Sequence, residues 1–246
     1  RLEPLLTQLN FYTDRRNAGM EVGRNYVIPK FNPKWNSDDG GIDRRSFDEN
    51  ETITYQVVDS KPLNPKGRTG LSGRGRLGRW GPNHAGDAIV TRWKSINGSK
   101  VLCSETGKPV LQLIAILRKD CNKWAIPGGF VNPKEASSSA VIRELFEEAI
   151  NVGKLSSNVQ TALKSFFKDG QQVYRGYVDD PRNTDNAWIE TTAINFHDAT
   201  GKDTENITLD ARDDAADAKW IDIVKDMEIY PPHYAIIDHL KKMHSV

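Results

Sequence analysis

GGFVNPKEASSSAVIRELFEEAINV, residues 128–152, places three glutamates within five positions, a short way after a double glycine. A helix is expected over 137–150. Ser137, Ser138 and Ser139 supply N-cap oxygens, and Ala140, Val141, Leu145 and Ala149 form an apolar stripe. On that helix Glu144, Glu147 and Glu148 fall at i, i+3 and i+4, so their carboxylates share one face while Leu145 and Ala149 turn inward. Like charges one turn apart repel, so the face is either a solvated acidic surface or a seat for a cation. For three carboxylates alone the solvated surface is the stronger reading. The alternative has chemistry behind it: Mg2+ takes oxygen ligands and keeps positions for water and substrate phosphates, and glycines allow backbone to approach closely.

Outward from this helix the pattern is that of an α/β domain. PVLQLIAIL (109–117) reads as a buried strand, and WAIP (124–127) as a second, ended by Pro127 and the glycines. VYRGYV (173–178), AWIETTAINF (187–196) and AKWIDI (218–223) are further strands. In HYAIIDHLKKM, Ile236, Ile237, Leu240 and Met243 have helical spacing, with Pro231 and Pro232 just before the start. Upstream, the first 60 residues are polar, with only short strand candidates such as TITYQVVD (52–59). They are followed by KPLNPKGRTGLSGRGRLGRWGPNH, whose dense glycines and sparse apolar residues predict a connector with no core element. The domain boundary is placed near its end, giving 1–84 and 85–246.

Composition narrows the function classes. The chain has 246 residues, 37% of them hydrophobic, and a formal net charge of +1. That charge gives no reason to expect bulk binding to nucleic acid or acidic lipid, and no apolar run nears the roughly 20 residues that span a bilayer. Two cysteines, Cys103 and Cys121, make no disulfide framework and read as reduced thiols. The chain begins at Arg1, which suits a fragment of a longer protein.

The spacing around the glutamates is specific. From Gly129 the order is glycine, five residues, Glu135, seven residues, then Arg143-Glu144-Leu145-Phe146-Glu147-Glu148. This resembles the nudix box, the signature of hydrolases that split a diphosphate linked to another moiety. One position departs: the glycine expected two places after Glu148 is Ile150, which questions the helix end but not the ligands. The resemblance implies a nudix-type α/β/α sandwich preceded by a smaller α+β N-terminal cap. It further implies that Glu144, Glu147 and Glu148 hold Mg2+ (or Mn2+), that Arg143 orients a carboxylate and that Glu135 assists from the loop.

GRTGLSGRGRLGRWGPNHA (67–85) and YVDDPRNTDNAW (177–188) are similar to the mitochondrial ADP-ribose pyrophosphatases and equally to the C-terminal domains of ADP-ribose-gated melastatin-type cation channels. DRRSF (43–47), YQVVD and KPLNP lean toward the channel domains. The resemblance implies hydrolysis of ADP-ribose to AMP and ribose 5-phosphate, or non-catalytic sensing of ADP-ribose for gating. It implies a place on the cytoplasmic side of the plasma membrane, joined to a channel and without direct membrane contact, or in mitochondria for a free enzyme. It suggests His84, Asp87, Gly128, Gly129, Phe130, Asp180, Arg182, Ile229 and His233 as binding positions. Without it, Asp180 and Arg182 read as a turn, and His233 as a surface residue or helix N-terminal contact. Trp80 and Trp188 read as packing rather than as a platform for adenine.

Gly73, Gly75 and Gly78 match the G-x-G-x-x-G dinucleotide fingerprint, but no buried strand precedes them and no helix follows. Arginine-rich nucleic-acid binding is disfavoured by the near-neutral charge and the lack of repeated aromatics. The connector is expected instead to turn its amides and arginines toward a phosphate-bearing ligand.

Overall fold

The computed structural model describes residues 31–246 apart from 152, 154, 212 and 214. The chain divides into two units. Of the described residues, the first takes in those up to His84 together with Val131–Glu135 and Gly176–Glu190. The second comprises Ala85–Phe130, Ala136–Arg175 and Thr191–Val246.

In the first unit the described residues form short antiparallel hairpins: β1 (Asp38–Asp39) with β2 (Ile42–Asp43), β3 (Ser46–Asp48) with β4 (Glu51–Ile53), and β5 (Val57–Val58) with β6 (Lys61–Pro62). The strand expected over 52–59 is thus two short strands. Asn50, Asp59 and Ser60 have positive φ, which suits tight turns and ends each strand after a few residues. Polar bonds hold this unit. The carboxylate of Glu190, 1% exposed, accepts from Phe47 N–H (2.8 Å), Trp188 Nε1–H (2.6 Å) and the hydroxyl of Ser46. Trp188 meets Tyr55 edge-on, ring centroids 5.1 Å apart, so it packs as expected.

The connector differs from expectation. Leu77 and Trp80 are buried at 2% and 5%, and β7 (Gly81–Trp93) starts inside it. Its amides are also engaged by the protein itself. Thr69 and Gly70 N–H donate to Asp185 Oδ1 (2.6 and 3.1 Å), Gly73 N–H to Asn186 Oδ1 (2.9 Å) and Arg79 N–H to Asn83 Oδ1 (2.8 Å). Asp185 and Asn186 therefore occupy the anion-binding role that the sequence reading reserved for a ligand. Side-chain oxygens of an Asp-Asn pair satisfy a glycine loop that has no ladder partner.

β7 continues into the second unit, where β8 (Ser95–Ile96) and β9 (Ser99–Lys100) form a hairpin. β10 (Leu111–Arg118), β11 (Trp124–Ala125), β12 (Gly128–Phe130), β13 (Gln171–Tyr177), β14 (Ala187–Asp198) and β15 (Ala215–Asp222) complete a seven-stranded sheet with β7. Its path is β11-β10-β7-β14-β13, with β12 on β7 and β15 on β10. The helices are α1 (Ser137–Glu148), α2 (Ser157–Phe166) and α3 (Tyr234–His244), the last preceded by a 3-10 turn at Pro231–His233.

Period-2 alternation along the strands builds two cores. Ala88 and Val90 of β7 and Ile114 and Ile116 of β10 pack with Val141 and Leu145 of α1 and Leu163 of α2. Ile89, Leu111, Leu113 and Ala115 point to the opposite face and meet Ile236, Ile237 and Leu240 of α3. The result is an α/β fold with helices on both faces of the sheet. α2 was not foreseen: QTALKSFF lies between polar residues, and its capping Ser156, which accepts from Val159 N–H, is the only local start signal.

α1 departs from expectation at both ends. Ala136, not a serine, is its N-cap residue and makes no side-chain cap bond. At the far end the helix stops at Glu148, and Ile150 is fully buried, bridged to Leu209. Both cysteines are free. Among the described residues no helix is long and apolar enough to cross a membrane.

Candidate active site

In the second unit α1 presents Arg143, Glu144, Glu147 and Glu148 beside β12. Two close approaches set their geometry. A Cβ on Gly129 would collide with the carboxylate of Glu144, and a Cβ on Gly128 with Asp87 Oδ1 and the carbonyl of Gly86. β12 pairs with β7 so that Gly128 faces Asp87, Gly129 faces Gly86 and Phe130 faces Ala85. Asp87, Gly128, Gly129, Phe130 and the helix residues are thus brought together.

Arg143 is the hub of the exposed part. Its Nη1 lies 2.7 Å from Glu144 Oε1 and 2.9 Å from Glu147 Oε2, and its Nη2 donates to the carbonyl of Phe130 at 3.0 Å. Glu148 is different, being buried with only 8% exposure. Its Oε2 accepts the N–H of Gly128 at 3.0 Å. Burial pushes its pKa up to about 8; the charges of Glu144 and Asp87 act in the same direction, against the Gly128 N–H and Arg118. Asp87 is pushed up to about 6, again chiefly by burial, although Thr191 Oγ1–H donates to its Oδ2 at 2.5 Å.

His233 is buried at 7%, so it is no surface residue. Its Nδ1 accepts the N–H of Ile126 at 3.0 Å and its Nε2 lies 4.0 Å from Asp87 Oδ1. Ile229, 2% exposed, belongs to the core beneath α3.

The remaining positions belong to the first unit. Arg182 and Asp180 form a bidentate pair, Nε–Oδ1 2.7 Å and Nη2–Oδ2 2.8 Å, and Asn183 N–H closes the turn on the carbonyl of Asp180 at 3.0 Å. Glu135 accepts from Asn132 N–H at 2.9 Å, fixing its own loop. His84 Nδ1 lies 3.9 Å from Glu190 Oε2.

Among the described residues no three His, Cys, Asp or Glu side chains are gathered as a ready metal site. The donor set nonetheless fits a hard divalent cation in its chemistry, since Glu144, Glu147 and Glu148 offer only carboxylate oxygens from one rigid helix. The glycine at 129 leaves the carboxylate of Glu144 room against the backbone. Arg143 engages Glu144 through Oε1 and Glu147 through Oε2, and the Gly128 amide engages Glu148 through Oε2, so ligation would fall to the other oxygen of each carboxylate.

Sequence reasoning missed two residues here. Arg118 is the cation whose field opposes the upward shifts of both Glu148 and Asp87, and Thr191 holds Asp87. Arg118 was visible as the first charge after the apolar run 109–117. Thr191 carried no signal, because only the pairing of distant strands brings it to Asp87.

Comparison with known proteins matches residues 99–240, more than half the chain, to the NUDIX domain. The chain belongs to the NUDIX family. Ahead of its NUDIX domain, residues 8–81 match the NUDT9-like, N-terminal domain. This NUDIX protein is 48% identical over 213 residues to a Rattus norvegicus protein named ADP-ribose pyrophosphatase, mitochondrial, covering 84% of the chain and 60% of that protein. It is 48% identical over 194 residues to a Nematostella vectensis transient receptor potential cation channel subfamily M member-like 2, covering 77% of the chain and 12% of the channel. It is 46% identical over 215 residues to putative nudix hydrolase 6 of Caenorhabditis elegans, covering 87% of the chain and 75% of that protein. The chain thus spans less than two thirds of the rat protein and about an eighth of the channel.

Proposed function

We propose that this chain is a divalent-cation-dependent hydrolase that splits the diphosphate of ADP-ribose, giving AMP and ribose 5-phosphate. The observation that carries the reading is the Arg143–Glu144–Glu147–Glu148 face of α1, set against Gly128 and Gly129 with no side chain between. The relative named as an ADP-ribose pyrophosphatase supports the choice of substrate.

In this reading Glu144, Glu147 and Glu148 hold Mg2+ or Mn2+. When bound, the cation supplies charge screening of the diphosphate and water activation. Arg143 keeps Glu144 and Glu147 oriented, and the Gly128 amide does the same for Glu148. One glutamate of the helix accepts the proton of the attacking water. Asp87, Gly128, Gly129, Phe130 and Ile229, all of the second unit, are assigned to substrate binding or its support. An aspartate suits ribose hydroxyls.

A second reading has its own support. Identity to a channel of which the chain spans 12% fits an ADP-ribose-sensing domain on the cytoplasmic side of a channel, whereas the rat relative fits a mitochondrial free enzyme. Incubating the purified chain with ADP-ribose and Mg2+, with and without EDTA, separates catalysis from sensing. Cation-dependent AMP and ribose 5-phosphate are expected; intact ADP-ribose with calorimetrically detected binding would leave the sensing domain.

A further inference from the structure

We propose that His233 is a positioning residue for Glu148, acting through the turn Ile126-Pro127-Gly128 rather than through contact with substrate. The inference rests on the reading of Glu148 as part of the catalytic face. Three consecutive residues of this turn are tied to three different elements. Ile126 N–H donates to His233 Nδ1 at 3.0 Å, the carbonyl of Pro127 accepts from Ala88 N–H at 2.8 Å, and Gly128 N–H donates to Glu148 Oε2 at 3.0 Å. Ile126 is 2% exposed, so water offers no substitute acceptor for its amide. Losing the imidazole would loosen the turn two residues before the amide that aims Glu148.

The delivery of the ring is equally constrained. Tyr230 N–H donates to the carbonyl of Trp124 at 2.6 Å, so Tyr230–His233 lies alongside Trp124–Ile126 and is tied to that segment at both ends. Pro231 and Pro232 fix φ between those two ties, and the 3-10 turn they start leads into α3. Because Nδ1 is an acceptor, the neutral ring carries its proton on Nε2, the nitrogen 4.0 Å from Asp87 Oδ1. Both ring nitrogens therefore face groups of the protein. Asp87 itself is the register partner of Gly128, so the imidazole braces the Gly128 pairing from the turn and from the side.

The test contrasts two amides. Asn places an oxygen near the position of Nδ1, and Gln near that of Nε2. His233→Asn is expected to keep the Ile126 and Gly128 amides protected and kcat for ADP-ribose with Mg2+ within about 3-fold. His233→Gln is expected to speed exchange at both amides by about 10-fold or more and to lower kcat by a similar factor, with KM little changed. The reverse pattern, with Gln active, Asn impaired and the loss in KM, would make His233 a substrate contact and overturn the proposal. Unaltered Gly128 exchange in His233→Gln would also overturn it. Exchange is read without substrate or cation, so a chain that leaves ADP-ribose intact sinks the proposed activity while the amides still decide this inference. Should both variants misfold, long-range 15N–1H correlation on the unsubstituted protein at neutral pH decides: a protonated Nδ1 is incompatible with the proposal, and a protonated Nε2 with unprotonated Nδ1 upholds it.

Discussion

Glu148 accepts the backbone N–H of Gly128 at 3.0 Å across a sequence separation of 20. That one bond ties the last turn of α1 to β12 and places a buried carboxylate next to a second one, Asp87, on the neighbouring strand. The three glutamates that share a helix face in the sequence are therefore not equivalent. Glu144 and Glu147 are held by one guanidinium near solvent, whereas Glu148 is held by backbone inside the fold.

Adding a methyl group at each glycine should separate activity from stability. At Gly129 the nearest atoms to an added Cβ are the end of the Glu144 side chain, which can swing away; at Gly128 they are Asp87 Oδ1 and the backbone carbonyl of Gly86, and the carbonyl cannot. Gly129→Ala is expected to melt within a few degrees of the parent yet lose on the order of 10-fold or more in kcat/KM, because Glu144 leaves its place. Gly128→Ala is expected to lose roughly 1–3 kcal/mol of stability by overpacking. Thermal melts beside ADP-ribose turnover check both.

Arg143→Ala should cost about 1 kcal/mol of stability: the pair with Glu147, 46% exposed, contributes little, and the pair with the more buried Glu144, 13% exposed, carries most of the effect. Turnover should fall on the order of 100-fold, since two carboxylates lose their common restraint. Arg143→Lys should rescue poorly: a single ammonium cannot span Glu144, Glu147 and the Phe130 carbonyl as the planar fork does. Full activity in the lysine variant would show that charge alone suffices.

What was legible in the sequence followed from local periodicity. Val141 and Leu145 on α1, and Leu113 to Ile116 on β10, repeat at the spacing of their elements, so their buried faces were readable. β7 was not read as a strand: Gly81-Pro-Asn-His has no strand pattern, and the element extends through pairing with other strands. The engaged amides of Thr69 and Gly70 were illegible, since their acceptor Asp185 lies more than 100 residues away. For the same reason Arg143 and the glutamates could be named from spacing, whereas Thr191 could not.

Ile150 tests the one departure from the family spacing. Restoring glycine there is expected to harm the fold. Ile150 is fully buried among Val141, Leu145 and Leu163. It is not among the described residues with positive φ, so nothing in its backbone requires glycine. Ile150→Gly leaves a cavity and frees the unfolded chain, and should cost about 3–5 kcal/mol by urea denaturation. A neutral result would mean that the helix end, rather than the core, governs this position.

His197 predicts how stability depends on pH. Asn195 Nδ2–H donates to the hydroxyl of Thr91, which lies 3.0 Å from His197 Nδ1, and the rings of His197 and His244 sit 4.4 Å apart. Burial first, and His244 second, pull the pKa of His197 down to about 4. Between the unfolded value of about 6.5 and the folded one, the unfolded chain binds the proton and the folded chain does not. The contribution of the neutral ring is thus complete above pH 6.5 and lost as pH falls toward 4. Allowing for its partial exposure, roughly 1–2 kcal/mol is expected to disappear across that window. Asp87 and Glu148, whose pKa values are raised, act with the opposite sign, losing stability as pH rises through their folded values. His197→Gln leaves those groups unchanged, so Tm at pH 7 minus Tm at pH 5 should shift in the negative direction in the variant relative to the parent. Equal differences in parent and variant would show that the ring takes up no proton preferentially in the unfolded chain.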